Sequence, residues 1–240
     1  FLDSNFDHKF FKRPPCGVFF LYLIMLKIAF HKSYIHPLEE NHRFPMIKYE
    51  LIPEQLLIEK TCSESNFFKP EIIDTELVLK THQEEYFNRL KGLKLSNKEV
   101  REIGFPLSKE LVERELIISQ GTIDCVHFSS EHGVSMNIAG GTHHAFYDRG
   151  EAFCMLNDQA IAANYIIEEG LFKKILIIDL DVHQGNGTAS LFSSNPNVYT
   201  LSFHGKKNYP FRKEKSDLDI ELDDNTNDNE YLKLLKEILP

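Results

Sequence analysis

Unbroken apolar runs and amphipathic stretches alternate along the chain. Residues 27–30, 175–178 and 198–201 are short and largely apolar, and the last two follow stretches with helical spacing. Apolar runs of this length after helices are typical of parallel strands that are covered on both faces. The pattern therefore predicts an α/β domain with three layers, α/β/α, around a mainly parallel sheet.

Helix boundaries are indicated by caps and by apolar spacing. The predicted helices are residues 53–60, with a proline in the first turn; 81–90, opened by a capping box at Thr81; 96–104, opened by a capping box at Ser96 and closed by Gly104; 108–118, capped by Ser108; 156–169, ended by Gly170; and 229–239. Ligands of such sheets bind beyond the carboxyl ends of the strands. Chemistry is therefore expected in the polar residues that follow Ile178 and Leu201.

The bulk composition narrows the class of function. The chain has 240 residues, 42% of them hydrophobic, which is enough for one sizeable core and favours one domain. A net charge of -9 argues against broad, phosphate-driven binding of nucleic acid but is compatible with a locally basic substrate. The four cysteines have no CxxC spacing, so we expect reduced thiols and a cytoplasmic protein.

The first residues do not fit the pattern of the rest. The chain begins at Phe1, residues 1–17 have no period, and the apolar run of residues 18–26 is too short to span a bilayer, so no membrane association is expected. Basic residues before that run imitate a signal peptide, but no small-residue cleavage site follows. We prefer the hypothesis that Met25 is the natural start, that residues 1–24 are an extension, and that 25–240 form the domain.

The strongest chemical signal is Asp179-Leu180-Asp181-Val182-His183, directly after a predicted strand. Side chains alternate along extended chain, so the three polar residues project to one side. A carboxylate and an imidazole two residues apart can bind one cation, and mixed oxygen and nitrogen ligands suit zinc or ferrous iron. The simpler interpretation is a strand-end turn with an aspartate cap and a solvated histidine, although the buried aliphatic strand before it weighs against that.

Two further segments carry candidate chemistry. Gly140-Gly141-Thr142-His143-His144 places two imidazoles on a glycine turn, where one ring can act as a general base while the other, charged, stabilises a developing oxyanion. Polar loop residues without a function would look similar. In the run 151–158, Cys154 is a candidate nucleophile, but its apolar neighbours favour an inert, buried thiol.

Together these segments resemble the histone deacetylase family. The matching stretches are GGTHHAFYDRGEAFCMLND at 140–158, DLDVHQGNGTASLF at 179–192, YTLSFHGKKNYPF at 199–211 and, near the start, HPLEENHRFPMIKYEL at 36–51. The HQGNGT and DRGEAFC runs are closer to the bacterial and class IV branch than to class I. The resemblance implies the arginase/deacetylase fold and the hydrolysis of an acetylated lysine or acetylated small amine.

The resemblance also assigns roles to single residues. Asp181 and His183 resemble two zinc ligands, His144 the general base and acid, His143 its electrostatic partner, and Asp179 the carboxylate that supports His143. Asn186 stands where class I members have an aspartate bonded to the second histidine. Because an amide does not raise the pKa of an imidazole as a carboxylate does, we expect a pH optimum that differs from class I.

Further assignments concern the substrate and a second ion. Phe153 and Phe211 resemble the aromatic pair that lines the acyl-lysine tunnel, Gly141 a substrate-binding glycine, and Arg43 an arginine behind the site. The resemblance also implies a structural potassium ion. Its ligands would be Asp179 and the main-chain carbonyls of Asp181, His183, Ser202 and Phe203.

Two residues of the family's site have no match up to Pro240: its third zinc ligand, an aspartate, and its carbonyl-polarising tyrosine. The polar loop before the last helix contains three aspartates that could be considered as the third ligand: Asp223, Asp224 and Asp228. We disfavour them, because aspartate is common there as a helix cap. The sequence is therefore interpreted as truncated at the C-terminus. We expect the 240-residue chain alone to bind zinc weakly and to be inactive or nearly so.

Two other functions stay open at this point. An arginase-like ureohydrolase with two manganese ions shares the fold, but it needs a further carboxylate where this chain has Gly185. The other alternative is a non-catalytic acyl-lysine-binding module or the remnant of an enzyme. Its only support is that the third zinc ligand and the tyrosine have no match in the sequence. The physiological substrate, the acyl length, the choice between zinc and ferrous iron and the oligomeric state are left open by the sequence.

Overall fold

A computed structural model describes residues 26–239, and it contains two parallel sheets with helices packed against them. The predicted extension at 1–24 and its boundary lie outside the described residues. The α/β class and the parallel strands predicted from the sequence are confirmed. The helices are α1 Lys48–Ile58, α2 Thr75–Leu79, α3 Glu84–Lys91, α4 Asn97–Ile103, α5 Lys109–His132, α6 Asp158–Glu168, α7 Asn186–Phe192 and α8 Asp228–Ile238.

The first sheet is built from three very short strands. They are β1 Lys27–Ala29, β2 Phe67–Phe68 and β3 Ser135–Asn137, in the order β2-β1-β3. The long helix α5 packs on this sheet, and the main hydrophobic core surrounds that helix, with Tyr34, Phe87 and Leu111 among its fully buried members. This core holds β3 in place, and β3 leads directly into the Gly140-Gly141 turn.

The second sheet carries the other half of the candidate chemistry. Its strands are β4 Ile175–Asp179, β5 Val198–Gly205 and β6 Leu218–Leu222, in the order β4-β5-β6. The register pairs Asp179 with Ser202, so the last residue of β4 lies beside the middle of β5. A small core of Ala160, Ala163, Ile177, Phe192 and Val198 joins this sheet to α6 and α7.

Strand β4 corrects one expectation. Its apolar run predicts burial on both faces, yet only Ile177 is buried, and the alternate residues are exposed: Leu176, Ile178, Leu180 and Val182. Nothing within residues 26–239 covers that face. Strand β5, by contrast, is buried along nearly its whole length, as predicted.

The helix starts test the capping predictions one by one. The capping box at Ser96 and the cap at Ser108 are confirmed, and Gly104 ends α4 in the left-handed conformation. The box at Thr81 is wrong: α3 starts after Gln83 without a side-chain cap, because the buried Thr81 hydroxyl is instead bonded to Asn164. Tertiary contacts thus replaced a local cap.

Two helix lengths also differ from the predictions. Helix α1 begins at Lys48, so Pro53 lies inside it rather than in its first turn, and the first turn is stabilised by burial of Tyr49 in the core. Helix α5 continues fourteen residues beyond Ile118, to His132. Gly121 lies within it, packed against Tyr34 and Asn137 where a larger residue would not fit. A glycine that looks like a helix breaker is here a point of close packing.

Among the described residues, no helix combines the length and the apolar content that crossing a bilayer requires.

Buried His82 is expected to make the fold sensitive to acid. Its Nδ1 donates to the Phe146 carbonyl at 2.8 Å, and its Nε2 accepts the Asn157 amide proton at 2.9 Å, so the ring is held neutral. Burial lowers the pKa of His82 to about 4, although the backbone hydrogen bonds oppose this in part. Between about pH 6.5 and 4 the unfolded chain binds the extra proton, so stability falls as the pH drops.

At pH 5 this residue should cost about 2 kcal/mol relative to pH 7. Urea unfolding at the two pH values would measure the loss in the native protein and in His82→Gln, where the share owed to His82 should vanish. His132→Gln, at the exposed end of α5, is the control. An unchanged pH dependence in His82→Gln would contradict the assignment.

Candidate active site

The turn after β4 brings Asp179, Asp181 and His183 together. Asp179 Oδ1 accepts the Asp181 amide proton at 2.9 Å, and Asp181 Oδ1 accepts the His183 amide proton at 2.8 Å. Asp181 Oδ1 also lies 3.0 Å from His183 Nδ1. Burial opposes ionisation of Asp181, but the His183 amide and the nearby charge of His143 hold its pKa below the usual value. The turn therefore presents an ionised carboxylate beside an imidazole.

The tandem histidines are positioned by buried Asp158. Its Oδ1 accepts hydrogen bonds from the Gly141 amide at 3.0 Å, the Thr142 amide at 2.8 Å and the Thr142 hydroxyl at 2.6 Å, while Oδ2 accepts from the Thr122 hydroxyl at 2.5 Å. Gly141 has φ of +88°, which glycine adopts without strain. These bonds fix the loop just ahead of the two rings.

His143 and Asp179 form one charged pair. His143 Nδ1 donates to Asp179 Oδ2 at 2.5 Å, and both side chains are nearly buried. Burial by itself would lower the pKa of His143, but the hydrogen bond and the charge of Asp179 outweigh it and raise that pKa. Of the two rings, His143 is therefore the one whose charged form the surroundings favour.

His144 is kept neutral. Its Nδ1 lies 2.7 Å from Asn186 Oδ1, and its ring centroid is 4.1 Å from that of His143. Burial, followed by the charge of His143, lowers the pKa of His144 to about 4, which the bond to Asn186 only partly offsets. Two adjacent rings with pKa values shifted in opposite directions suit separate roles, one as an electrostatic group and the other as a base.

Two glycines allow α7 to approach the tandem histidines. A Cβ at Gly185 would collide with Asp179 Oδ2, and a Cβ at Gly187 would collide with the Ala145 carbonyl. The Thr188 amide donates to the His143 carbonyl at 3.1 Å, and the Asn157 amide group donates to Thr188 Oγ1 at 3.0 Å. This backbone contact is what places Asn186 beside His144.

Two residues near the rings were not identified from the sequence. Tyr209 Oη donates to Glu151 Oε2 at 2.8 Å, and its ring lies 5.1 Å from that of His144 and 6.3 Å from that of His183. The hydrogen bond from Asn186 Nδ2 to the same Glu151 oxygen is 3.3 Å long. An aromatic residue before a proline in the segment 199–211 was the available signal for Tyr209. No local signal marks Glu151.

These groups face a cavity of about 600 Å³. Its lining includes Gly141, His143, His144, Phe153, Asp181, His183 and Tyr209, with Arg43, Lys48 and Arg114 also contributing. Phe153 has φ of +69° and is held by a hydrogen bond from its amide to the Ile103 carbonyl. A bulky residue in that conformation is strained and is kept there by its surroundings.

Phe211 requires a correction. It is 91% exposed and does not line the cavity, whereas Tyr209 does. The prediction rested on the family resemblance of the segment 199–211, but the loop bends at Tyr209-Pro210 so that the aromatic ring two positions earlier faces the histidines. Arg43 lies at the cavity, with its guanidinium 4.9 Å above the Phe153 ring, as expected for an arginine near the site.

The donors fit a zinc ion only in part. Asp181 Oδ1 and His183 Nδ1 are 3.0 Å apart, close to the separation of about 3.3 Å between two ligands of one tetrahedral zinc. Residues 26–239 contain no group of three or more His, Cys, Asp or Glu side chains placed to hold a metal. The described chain therefore offers two ligands of the three that a catalytic zinc usually has.

Of the residues suggested for potassium, Asp179 ends β4, Asp181 and His183 lie in the turn after it, and Ser202 and Phe203 lie on the neighbouring strand β5. Ser202 is the register partner of Asp179, and both Ser202 and Phe203 are buried. Ser202 Oγ is 3.0 Å from His204 Nδ1.

Cys154 is buried at the wall of the cavity. Burial raises the pKa of its thiol, which matches the expectation of an unreactive cysteine.

Comparison with known proteins gives a consistent result. Residues 36–240 match the family model described as histone deacetylase domain. An uncharacterized protein of Picosynechococcus sp. is 41% identical over 208 residues, covering 87% of this chain and 69% of the relative. Histone deacetylase 2 of Arabidopsis thaliana is 28% identical over 212 residues, covering 84% of this chain.

A solved structure described as an HDAC homolog complexed with SAHA has a TM-score of 0.73 and 27% identity. It is covered to 65% by this chain, of which 89% is matched. The chain spans 54% of the Arabidopsis protein, so it corresponds to about half to two thirds of the length of these proteins.

Proposed function

The chain belongs to the histone deacetylase family, and on that premise we propose that it hydrolyses the amide bond of an acetylated lysine or a related acetylated amine. The observation that carries the proposal is the meeting, in one cavity, of the Asp181-His183 pair with two histidines whose rings lie 4.1 Å apart. A non-functional polar loop has no reason to shift the pKa values of two adjacent rings in opposite directions beside a carboxylate–imidazole pair.

Each residue has a defined part in this reaction. His144, neutral and with Nδ1 turned to Asn186, accepts a proton from the attacking water and returns it to the leaving amine. His143, whose charged form is favoured by Asp179, stabilises the negative charge that develops on the acetyl oxygen. Phe153 and Tyr209 line the cavity and limit the access of bulk water.

Zinc, or ferrous iron, is the proposed cofactor. Asp181 and His183 would hold it, and when bound it would lower the pKa of a coordinated water and polarise the acetyl carbonyl. Because the described residues supply two ligands, we expect the 240-residue chain to bind the metal weakly and to turn over slowly. A structural potassium at Asp179 and the main-chain carbonyls of Asp181, His183, Ser202 and Phe203 remains part of the proposal.

Two other functions can be weighed against this geometry. The lack of a third donor within the described residues favours a non-catalytic acyl-lysine-binding module as the second candidate. An arginase-like ureohydrolase is disfavoured, because it needs a carboxylate at position 185. Any side chain there would collide with Asp179, so there is no room for one.

A hydroxamate is a suitable probe, since SAHA is named in the complex of the related HDAC homolog. We expect SAHA to bind the purified chain only when zinc is added, and Asp181→Ala to abolish that binding. His144→Ala should keep SAHA binding but reduce the release of acetate from an acetyl-lysine peptide at least about a hundredfold. Asp224→Asn, a surface carboxylate paired with Lys207, is the matched control.

The outcomes separate the two candidates. Acetate release that depends on both zinc and His144 supports the enzyme. SAHA binding at saturating zinc with no detectable release, slow release included, supports the binding module, and release that survives both substitutions rules out the proposed mechanism.

A further inference from the structure

Glu151 connects three groups around the candidate base. Its Oε2 accepts from Tyr209 Oη at 2.8 Å and from Asn186 Nδ2 at 3.3 Å, while Oε1 accepts from Arg149 Nε at 2.9 Å. The backbone of Glu151 is itself fixed by a tight turn, in which the amides and carbonyls of Glu151 and Cys154 exchange hydrogen bonds of 3.0 and 2.8 Å. Hydrogen bonds thus fix Glu151 both at its backbone and at its carboxylate.

The chemistry of these groups sets the direction of every bond. An ionised carboxylate only accepts hydrogen bonds, whereas an amide side chain donates from nitrogen and accepts at oxygen. The bond to Glu151 therefore turns the Asn186 nitrogen toward position 151 and its oxygen toward His144. With an acceptor 2.7 Å from Nδ1, neutral His144 carries its proton on Nδ1, and Nε2 keeps a free lone pair.

An amide at position 186 does not impose this polarity by itself. Asn186 is 3% exposed, and among the described residues its Nδ2 meets Glu151 Oε2 and the Tyr209 hydroxyl, both of which can accept a hydrogen bond. If the amide turned over, Nδ2 would face His144, and the ring would move its proton to Nε2. That tautomer has no lone pair at Nε2 with which to accept a proton.

We propose that Glu151 is a positioning residue for His144, acting through Asn186 to fix the ring in the Nδ1–H tautomer. Asn186 stands where class I members have an aspartate bonded to the second histidine. Here the carboxylate is that of Glu151, which lies on the far side of Asn186 and orients its amide group. Tyr209 and Arg149 hold the carboxylate in place. The inference rests on the proposed function only for the use made of His144, since the tautomer is a property of the protein without substrate or metal.

The tautomer can be measured directly. Nitrogen-15 NMR of imidazole-labelled protein, without added metal and near neutral pH, separates the two tautomers of His144, which is assigned from the spectrum of His144→Gln. We expect the Nδ1–H form to dominate in the native protein and Glu151→Ala to shift the ratio of tautomers about tenfold toward Nε2–H, as the loss of a hydrogen bond to a charged group predicts.

Three further variants separate positioning from general damage. Glu151→Gln keeps the size and one acceptor oxygen, so an intermediate ratio is expected; it also serves if Glu151→Ala does not fold. Tyr209→Phe removes a partner of Glu151 and the hydroxyl beside Asn186 but keeps the bond between Glu151 and Asn186, so it should shift the ratio less than Glu151→Ala does. Asp148→Asn is the matched control, because Asp148 pairs with Arg149 at 3.1 Å without contacting Asn186.

An unchanged tautomer ratio in folded Glu151→Ala or Glu151→Gln would overturn the inference, whatever the activity. A shifted ratio supports it even if the chain proves to have no deacetylase activity. In that case the proposed function fails, and the positioning by Glu151 stands.

Discussion

Replacing Asp158 with alanine is expected to lower the free energy of unfolding by about 3–5 kcal/mol, the range for breaking a buried, hydrogen-bonded charge network. The carboxylate is fully buried and is the acceptor for two backbone amides and two hydroxyl groups from Gly141, Thr142 and Thr122. Alanine removes the acceptor of all four donors, and only the Thr122 hydroxyl keeps a second one, the Ile118 carbonyl at 3.5 Å. Each unsatisfied buried donor costs about 1–3 kcal/mol before the site relaxes.

Urea unfolding monitored by circular dichroism measures this loss. Asp158→Asn, which keeps the shape and one acceptor oxygen, should lose roughly half as much. Asp124→Ala is the matched control: it is a carboxylate on α5 that accepts a single bond from Gln120, and its removal should cost less than about 1 kcal/mol. A loss for Asp158→Ala no larger than for Asp124→Ala would show that the network does not hold the loop.

The second large effect is expected at Gly187. A methyl group there would meet the Ala145 carbonyl and, at 2.8 Å, the His143 carbonyl oxygen, both of them backbone atoms in a buried segment. Backbone cannot turn aside as a side chain does, so α7 must move away from the tandem histidines. We expect Gly187→Ala to cost about 3 kcal/mol or more, as severe overpacking does, and to break the bond between Asn186 and His144.

Thermal unfolding gives the stability, and the NMR signals of His144 report its bond to Asn186. Gly170→Ala is the control for strain alone, because Gly170 has φ of +66° but no atom within 4 Å of the added carbon. That variant should cost about 1–2 kcal/mol. If Gly187→Ala costs no more, then the close approach of the two backbones is not tight.

The parts of the site that follow strands could be predicted from the sequence. Asp181 and His183 were found because alternation along an extended chain puts both on one side, and the apolar run before them marks the strand. The tandem histidines were found because a glycine pair marks a turn. In each case the information lies within a few neighbouring residues, and the structure places all of these groups at one cavity.

The parts that depend on distant contacts could not be predicted. Glu151 and Asn186 are 35 positions apart in the sequence, and nothing local shows that they share a hydrogen bond. The family resemblance selected Phe211 where the folded loop presents Tyr209. Thr81 has the sequence pattern of a helix cap, but its hydroxyl is bonded to Asn164. Periodicity also could not show that Leu176 and Ile178 would stay exposed within the described residues.

The tandem histidines follow β3 in one sheet, whereas Asp181 and His183 follow β4 in the other. The helices α5 and α6 lie between these halves, and the buried face of α6 consists largely of small residues, Ala160, Ala162 and Ala163. The spacing between the two halves therefore depends on the packing of these helices as well as on the direct bond from His143 to Asp179. Since a misplacement of about 1 Å can cost a hundredfold in rate, the proposed reaction would be sensitive to substitutions among the small residues of α6, none of which is a proposed reacting group.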